Sequence, residues 1–194
     1  MTFSMDTDHF EYIINRQDII VDVSDSWLTF ANDNDSDYSR DSVIGKSLWY
    51  FVSNAQTRHL YRILIDKVRK TAEYVQVPFR CDAPDRRRFM ELEISLLNNG
   101  YIEFKSRLIR TELRPTMRLL DSKIPRSNKK LSLCSWCKQV QVDARRWMEV
   151  EHAVNALGLF ELQTMPDLNH GICPECEQRL FYQLQIPLTQ TYAR

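Results

Sequence analysis

Four of the chain's five cysteines fall in two tetrapeptides, Cys134-Ser-Trp-Cys137 and Cys173-Pro-Glu-Cys176. A Cys-x-x-Cys turn brings two sulfurs close to one point, and two such turns complete the four ligands of a tetrahedral zinc site, with Zn–S bonds of about 2.3 Å. Any fold available to this chain must therefore be asked whether it brings residues 134–137 and 173–176 together. Residues 138–172 separate the pairs, more than a compact ribbon holds, but a helix and its return loop can bridge them. A thiol–disulfide device and simple burial of small apolar thiols are the competing uses of the same residues. The start, MTFSMDTDHF, lacks the basic and apolar regions of a secretory signal. The expected location is thus cytoplasmic, where paired cysteines favour metal over structural disulfides. Four thiolates close a structural site and leave no position for a substrate water, so the expected zinc is structural, with Cys134, Cys137, Cys173 and Cys176 as ligands. His170, three residues before Cys173, could replace a ligand, orient a thiolate or simply sit in a loop, and the non-ligand readings are favoured because four thiolates already close the site. The His-x-Glu and Pro-Cys-x-x-Cys pattern of nucleobase deaminases is absent.

The 194 residues are 43% apolar and 27% charged, which fits a packed core rather than global disorder. Formal net charge is zero, which argues against nucleic acid as a dedicated partner. No apolar run reaches the roughly 20 residues of a membrane span. Residues 10–24 split at Arg16-Gln17 into two short strands, the second with Ile19, Val21 and Val23 on one face. Ser24 or Asp25 caps a short helix carrying Trp27, Phe30 and Ala31. The clearest helix covers 54–72, with Leu60, Ile63, Leu64 and Val68 as its stripe. Three strands follow. Val75, Val77 and Phe79 alternate in the first; Met90, Leu92, Ile94 and Leu96 in the second; Ile102, Phe104, Ser106 and Leu108 in the third, after the turn Asn98-Asn99-Gly100. This order predicts an α+β fold with an antiparallel five-stranded sheet.

Residues 116–130 hold five basic residues against one acid and read as an exposed basic linker. Beyond it, residues 131–187 form the cysteine-bearing segment. A helix is expected from about Asp143 to Leu157, stopped by Gly158, with Trp147, Val150, Val154 and Leu157 as its apolar stripe. A second begins near Pro174, with Leu180, Phe181 and Leu184 on one face. With so few apolar stripes this segment has a marginal core, which a structural zinc would reinforce.

Over residues 8–115 the phrases DIIVDVSDSWLTFA, VIGKSLWYFV, TRHLYRILIDKVR and PFRCDAPDRRRFMELEIS resemble a PAS domain. The tail, with CSWC, a Trp-containing helix and HGICPEC, is similar to a short cysteine-pair segment at the end of some bacterial PAS-containing sensor and regulatory proteins. The resemblance implies a non-enzymatic signalling module of PAS-like domain plus small helical zinc-binding segment. No recognisable output region follows, so the output is expected in a signalling protein partner or a homodimer formed through the PAS-like domain. It further implies that a small-molecule ligand, whose identity the sequence does not disclose, could sit among Trp27, Phe30, Trp49 and Phe51; ordinary core packing is the competing role for these rings. Two other readings differ in class: a zinc-containing transcription-associated regulator touching nucleic acid, and a PAS sensor holding flavin or haem. For the latter, Cys81 stands outside any flavin-adduct motif, and His59 flanks the helix stripe without the motif of a haem ligand. Arg86, Arg87 and Arg88 could grip an acidic partner, but a charged turn of this kind is usually just solvated. No catalytic triad, phosphate-binding glycine loop or paired-carboxylate motif is found.

Overall fold

The computed structural model describes residues 9–34, 36–52 and 54–185. The start of the chain, and the outer limits expected at residues 8 and 187, lie outside them. The chain divides into two compact units. The first takes the described residues up to 52 together with Arg58–Cys81 and Arg87–Glu112; the second takes Asn54–Thr57, Asp82–Arg86 and the described residues from Leu113 onward.

In the first unit, strands β1 (His9–Ile14) and β2 (Ile20–Val23) lead through short helices α1 (Asp25–Asn32), α2 (Arg40–Val43) and α3 (Leu48–Phe51) to the long helix α4 (Ala55–Thr71). Strands β3 (Val75–Arg80), β4 (Arg86–Leu96) and β5 (Ile102–Leu113) follow, and the five-stranded antiparallel sheet has the order β2-β1-β5-β4-β3. The alternation read from the sequence appears as burial over much of each strand, but it lapses at Phe79, Leu96 and Ser106, which are half-buried, and at Leu108, which is exposed. Val75, Val77, Met90, Leu92, Ile94, Ile102 and Phe104 are buried, as are Leu60, Leu64 and Val68 of α4 with Ile65 beside them. Between β4 and β5 the chain turns at Gly100, whose φ of +80° is a region that residues with a Cβ seldom occupy. A Cβ there would also stand 2.6 Å from Arg16 Nε.

Strand β2 departs from the expected face. Ile20 and Val23 are buried while Val21 is only partly so. The cause is a bulge: Ile13 pairs with Asp22 and Ile14 with Ile20, leaving Val21 as the extra residue. Helix α1 starts where Ser24 accepts a hydrogen bond from the Trp27 amide at 3.1 Å. The sheet face carrying Glu11, Glu91, Glu93, Glu103, Lys105 and Arg107 is polar, with Lys105 Nζ 3.1 Å from Glu11 and Arg107 Nε donating to Glu91 at 2.7 Å.

The second unit is a mixed structure rather than the helical segment expected. Residues 116–130 do not form an exposed linker: a 3₁₀ turn (Arg118–Leu120) buries Leu119 completely, and strand β6 (Arg126–Cys134) begins within this stretch. Strands β7 (Val140–Gln141), β8 (Trp147–Met148) and β9 (Met165–Gly171) complete a four-stranded sheet of order β8-β7-β6-β9. Strands β6 and β9 run parallel, so the chain between them must cross over, and helix α5 (Val150–Ala156) lies in that crossover. The expected helix from Asp143 is shorter than its apolar spacing implied. Asp143 Oδ1 accepts from the Arg145 and Arg146 amides, making a turn instead of a cap, and Trp147 and Met148 pair with β7. Helix α6 (Pro174–Gln183) closes the unit, with Leu180, Phe181 and Leu184 buried as predicted. Met117, Leu119, Leu133, Val140, Val150, Ala153, Val154, Leu159 and Met165 form its apolar cluster. A buried ion pair adds to this: Arg114 Nη1 lies 3.1 Å from Asp82 and 3.5 Å from Glu151, with the Arg114 and Asp82 side chains 2% and 1% exposed.

Candidate metal centre

Each cysteine pair is placed by backbone that its own sequence shapes. Cys134 ends β6, and the Lys138 amide donates back to the Cys134 carbonyl at 3.0 Å, closing the turn that brings Cys137 round beside Cys134. Lys138 itself has φ of +61°, in the left-handed region. On the other side Cys173 is the N-cap of α6, followed by Pro174 in the first turn, where its missing N–H costs nothing. The parallel register sets Cys134 level with Gly171, and the Ser135 amide donates to the Gly171 carbonyl at 2.8 Å. Cys173 thereby emerges two residues beyond the end of that pairing, beside the first turn.

The result is one group of four sulfurs, all within 4.8 Å of one another. Cys137 Sγ and Cys173 Sγ are 3.7 Å apart, close to the separation of about 3.8 Å between corners of a tetrahedron with 2.3 Å Zn–S bonds. Cys134, Cys173 and Cys176 are buried and Cys137 is half-buried, with Trp136 buried between the two residues of the first pair. N–H groups point at the sulfurs. The Cys173 amide donates to Cys134 Sγ at 3.4 Å, the Cys176 amide to Cys173 Sγ at 3.4 Å, and Arg179 Nη2 to Cys176 Sγ at 3.3 Å.

The four sulfurs influence one another's ionisation. Hydrogen bonds from neighbouring thiols draw the Cys134 pKa far down, while the same contacts push those of Cys137 and Cys176 far up. Four sulfurs this close cannot all be thiolates unless a positive ion stands among them. Contact with Cys176 in turn raises the pKa of the Arg179 guanidinium. Donor type, number, spacing and burial all fit a metal such as zinc, and four thiolates would fill a tetrahedral shell.

His170 is not a member of the group. It lies on β9 opposite Leu133, exposed at the residue level, and its pKa is lowered by ring desolvation and by Lys138. The aromatic candidates occupy two neighbourhoods. Trp27 and Phe51 both meet Tyr38, with ring centroids at 6.0 and 5.5 Å, and Phe30 meets Phe10 at 4.2 Å with Arg88 over its face at 4.9 Å. Trp49 instead donates through Nε1 to Asp18 at 2.9 Å, under Arg62 at 4.9 Å. Deeper in the same unit Tyr12 stacks on Phe104 at 4.5 Å, and burial pushes the Tyr61 phenol up to about 12. His59 is exposed, and the Cys81 amide donates to the Arg88 carbonyl at 3.0 Å. Arg86 pairs with the adjacent Asp85 at 2.8 Å and Arg87 with Glu112 at 3.5 Å.

Sequence reasoning missed Arg179 and the Asp82–Arg114–Glu151 cluster. Arg179 was detectable, since a residue three places after Cys176 on a helix shares its face. Asp82 and Arg114 carry no comparable local signal.

No protein-family model matches the sequence, and no curated protein matches it. Among solved structures, a domain of an HTR-like protein from Haloarcula marismortui aligns over 54% of this chain and 100% of its own length, at 12% identity and a TM-score of 0.38. A C-terminal domain from Streptococcus mutans aligns over 53% of this chain and 77% of its own, at 12% identity and a TM-score of 0.39. Among the described residues no helix is long and apolar enough to cross a membrane.

Proposed function

We propose that this chain is a non-enzymatic regulatory module: a PAS-like unit that senses or docks, joined to a second unit held in shape by structural zinc. The observation that carries the reading is the group of four sulfurs within 4.8 Å of one another; as thiolates they would fill a tetrahedral shell and leave no coordination position for a substrate. The first unit supports it in a different way. Two strands, short helices, one long helix and three further strands form a single antiparallel sheet with helices between its second and third strands, the element order on which the PAS resemblance rests.

In this reading zinc acts by binding energy alone, and the residues around it hold the thiolates. The amides of Cys173 and Cys176 and the Arg179 guanidinium donate to sulfur and so favour the charged form that a metal requires. A reducing, cytoplasmic setting suits such a group. The state of the PAS-like unit would reach a protein partner, or a second copy, through its exposed surfaces.

Native mass spectrometry of the purified chain, followed by interaction capture, tests both parts. One zinc per chain together with a bound partner, self-association or a ligand is the expected result. A chain that carries no ligand, does not self-associate and captures no partner would sink the regulatory claim. Equal metal content in wild type and a Cys134→Ser, Cys173→Ser double variant would sink the zinc claim.

A further inference from the structure

We propose that Cys137 is the reactive corner of the metal centre, a modification site at which soft electrophiles enter first; the inference rests on the zinc reading above. The four sulfurs are alike in type but not in surroundings. Cys134 Sγ accepts from the Cys173 amide and also faces the amide of Cys137. Cys173 Sγ accepts from the Cys176 amide, and Cys176 Sγ from Arg179. No N–H donor to Cys137 Sγ is seen among the described residues; its contacts are with the other three sulfurs, Cys173 Sγ at 3.7 Å among them. It is also the one ligand of the four that is half-buried rather than buried.

Both differences act in the same direction. An N–H···S bond withdraws electron density from a thiolate and stabilises its charge, so it lowers the drive to attack. Burial then shields the same three sulfurs from any reagent in solution. Cys137 combines the least stabilised lone pair with the easiest approach. With iodoacetamide, a Cys137 lone pair forms an S–C bond to the methylene carbon as the C–I bond breaks and iodide leaves with the bonding pair. The product is a neutral thioether, so the ion keeps three thiolates, and the centre becomes a labile three-sulfur site.

Arg179 enters as the guard of Cys176. Its guanidinium donates to Cys176 Sγ at 3.3 Å, and its own position on α6 is exposed. Removing it leaves Cys176 buried but without its donor.

The test uses the full chain loaded with zinc, treated with less than one equivalent of iodoacetamide and mapped by peptide mass spectrometry. Native mass of the same sample reports the ion, and Cys81, outside the centre, provides an internal reference. Among the four ligands, carbamidomethylation at Cys137 should run about tenfold or more ahead of the others, the factor expected from one charge-stabilising hydrogen bond. Arg179→Ala should raise the rate at Cys176, and Arg179→Lys should restore protection in part. Metal present with equal rates at all four, or with another ligand modified first, overturns the inference and leaves the zinc reading standing. A sample that carries no ion after loading removes the zinc reading and the inference with it.

Discussion

The two units solve the same problem, holding a small sheet together, with different means. The first buries long alternating runs: Met90, Leu92, Ile94, Ile102 and Phe104 with Leu64, Ile65 and Val68. At roughly 25 cal/mol per Å² of apolar area, such a core is sufficient explanation for its order. The second has an apolar cluster drawn from short pieces, two of its strands being only two residues long. It adds a group of four sulfurs and a buried Arg114–Asp82 pair. The contrast teaches that unit two depends on a few chemically specific contacts, whereas unit one depends on many interchangeable ones.

The strongest way to break this comparison is to remove the metal proposed for the sulfur group. Structural zinc contributes apparent folding free energies of about 10–16 kcal/mol in small domains at neutral pH. A strong chelator, or Cys134→Ser, should therefore abolish hydrogen-exchange protection in β6, β9 and α6 and leave α4 and β3–β5 protected. Protection retained in β6 and β9 after verified metal loss would show that the apolar cluster suffices.

Next in size is Arg114→Ala. It removes the Arg114 guanidinium from the Asp82 carboxylate, which is 1% exposed, and breaking such a buried pair costs about 3–5 kcal/mol. Denaturant unfolding would read this loss. Replacing the pair together by apolar residues of similar volume should cost much less, which separates uncompensated charge from lost packing.

In the first unit, Leu64→Ala should cost about 2–5 kcal/mol by transfer and cavity terms, Leu64 being fully buried. A value below about 1 kcal/mol would contradict the account of an apolar core. Tyr61 provides a pH handle on the same unit. Its pKa is raised from 10.0 to about 12, so the fold favours the neutral phenol. The associated stability is fully present below pH 10 and is lost as pH rises through about 12, by about 2–3 kcal/mol at 1.36 kcal/mol per pKa unit. Tyr61→Phe should flatten that alkaline decline, measurable as melting temperature against pH. The smallest effect is at the Ser24 cap: Ser24→Ala should cost about 1 kcal/mol, with Ser24→Asn nearly neutral.

How far these features can be read from sequence follows the same divide. The alternation in 90–96 and the stripe on α4 are local periodicities, and local periodicity survives folding unless a bulge intervenes, as at Val21. The cysteine pairs are legible because ligand spacing is chemistry rather than pattern. Strand β6 was not legible: of its nine residues only Leu133 and Cys134 are buried, so Arg126, Asn128, Lys129 and Lys130 present no period of two. It becomes a strand because β7 and β9 pair with it, and those partners come from later in the chain. The Arg114–Asp82 pair is hidden for the same reason, its members meeting only once the fold exists.

The parallel pairing of β6 with β9 has a consequence for how such a centre can vary. Because Cys134 and Gly171 are already level in the sheet, an ion bound by the four sulfurs would not measure the length of chain between the cysteine pairs. It would measure the register of two strands and the shape of two turns. Insertions in the crossover that leave the register intact should be tolerated, each doubling of a flexible loop costing only about 0.6 kcal/mol. A single-residue slip between β6 and β9 would be far worse, since it turns every side chain to the opposite face and carries Cys173 out of reach of Cys134.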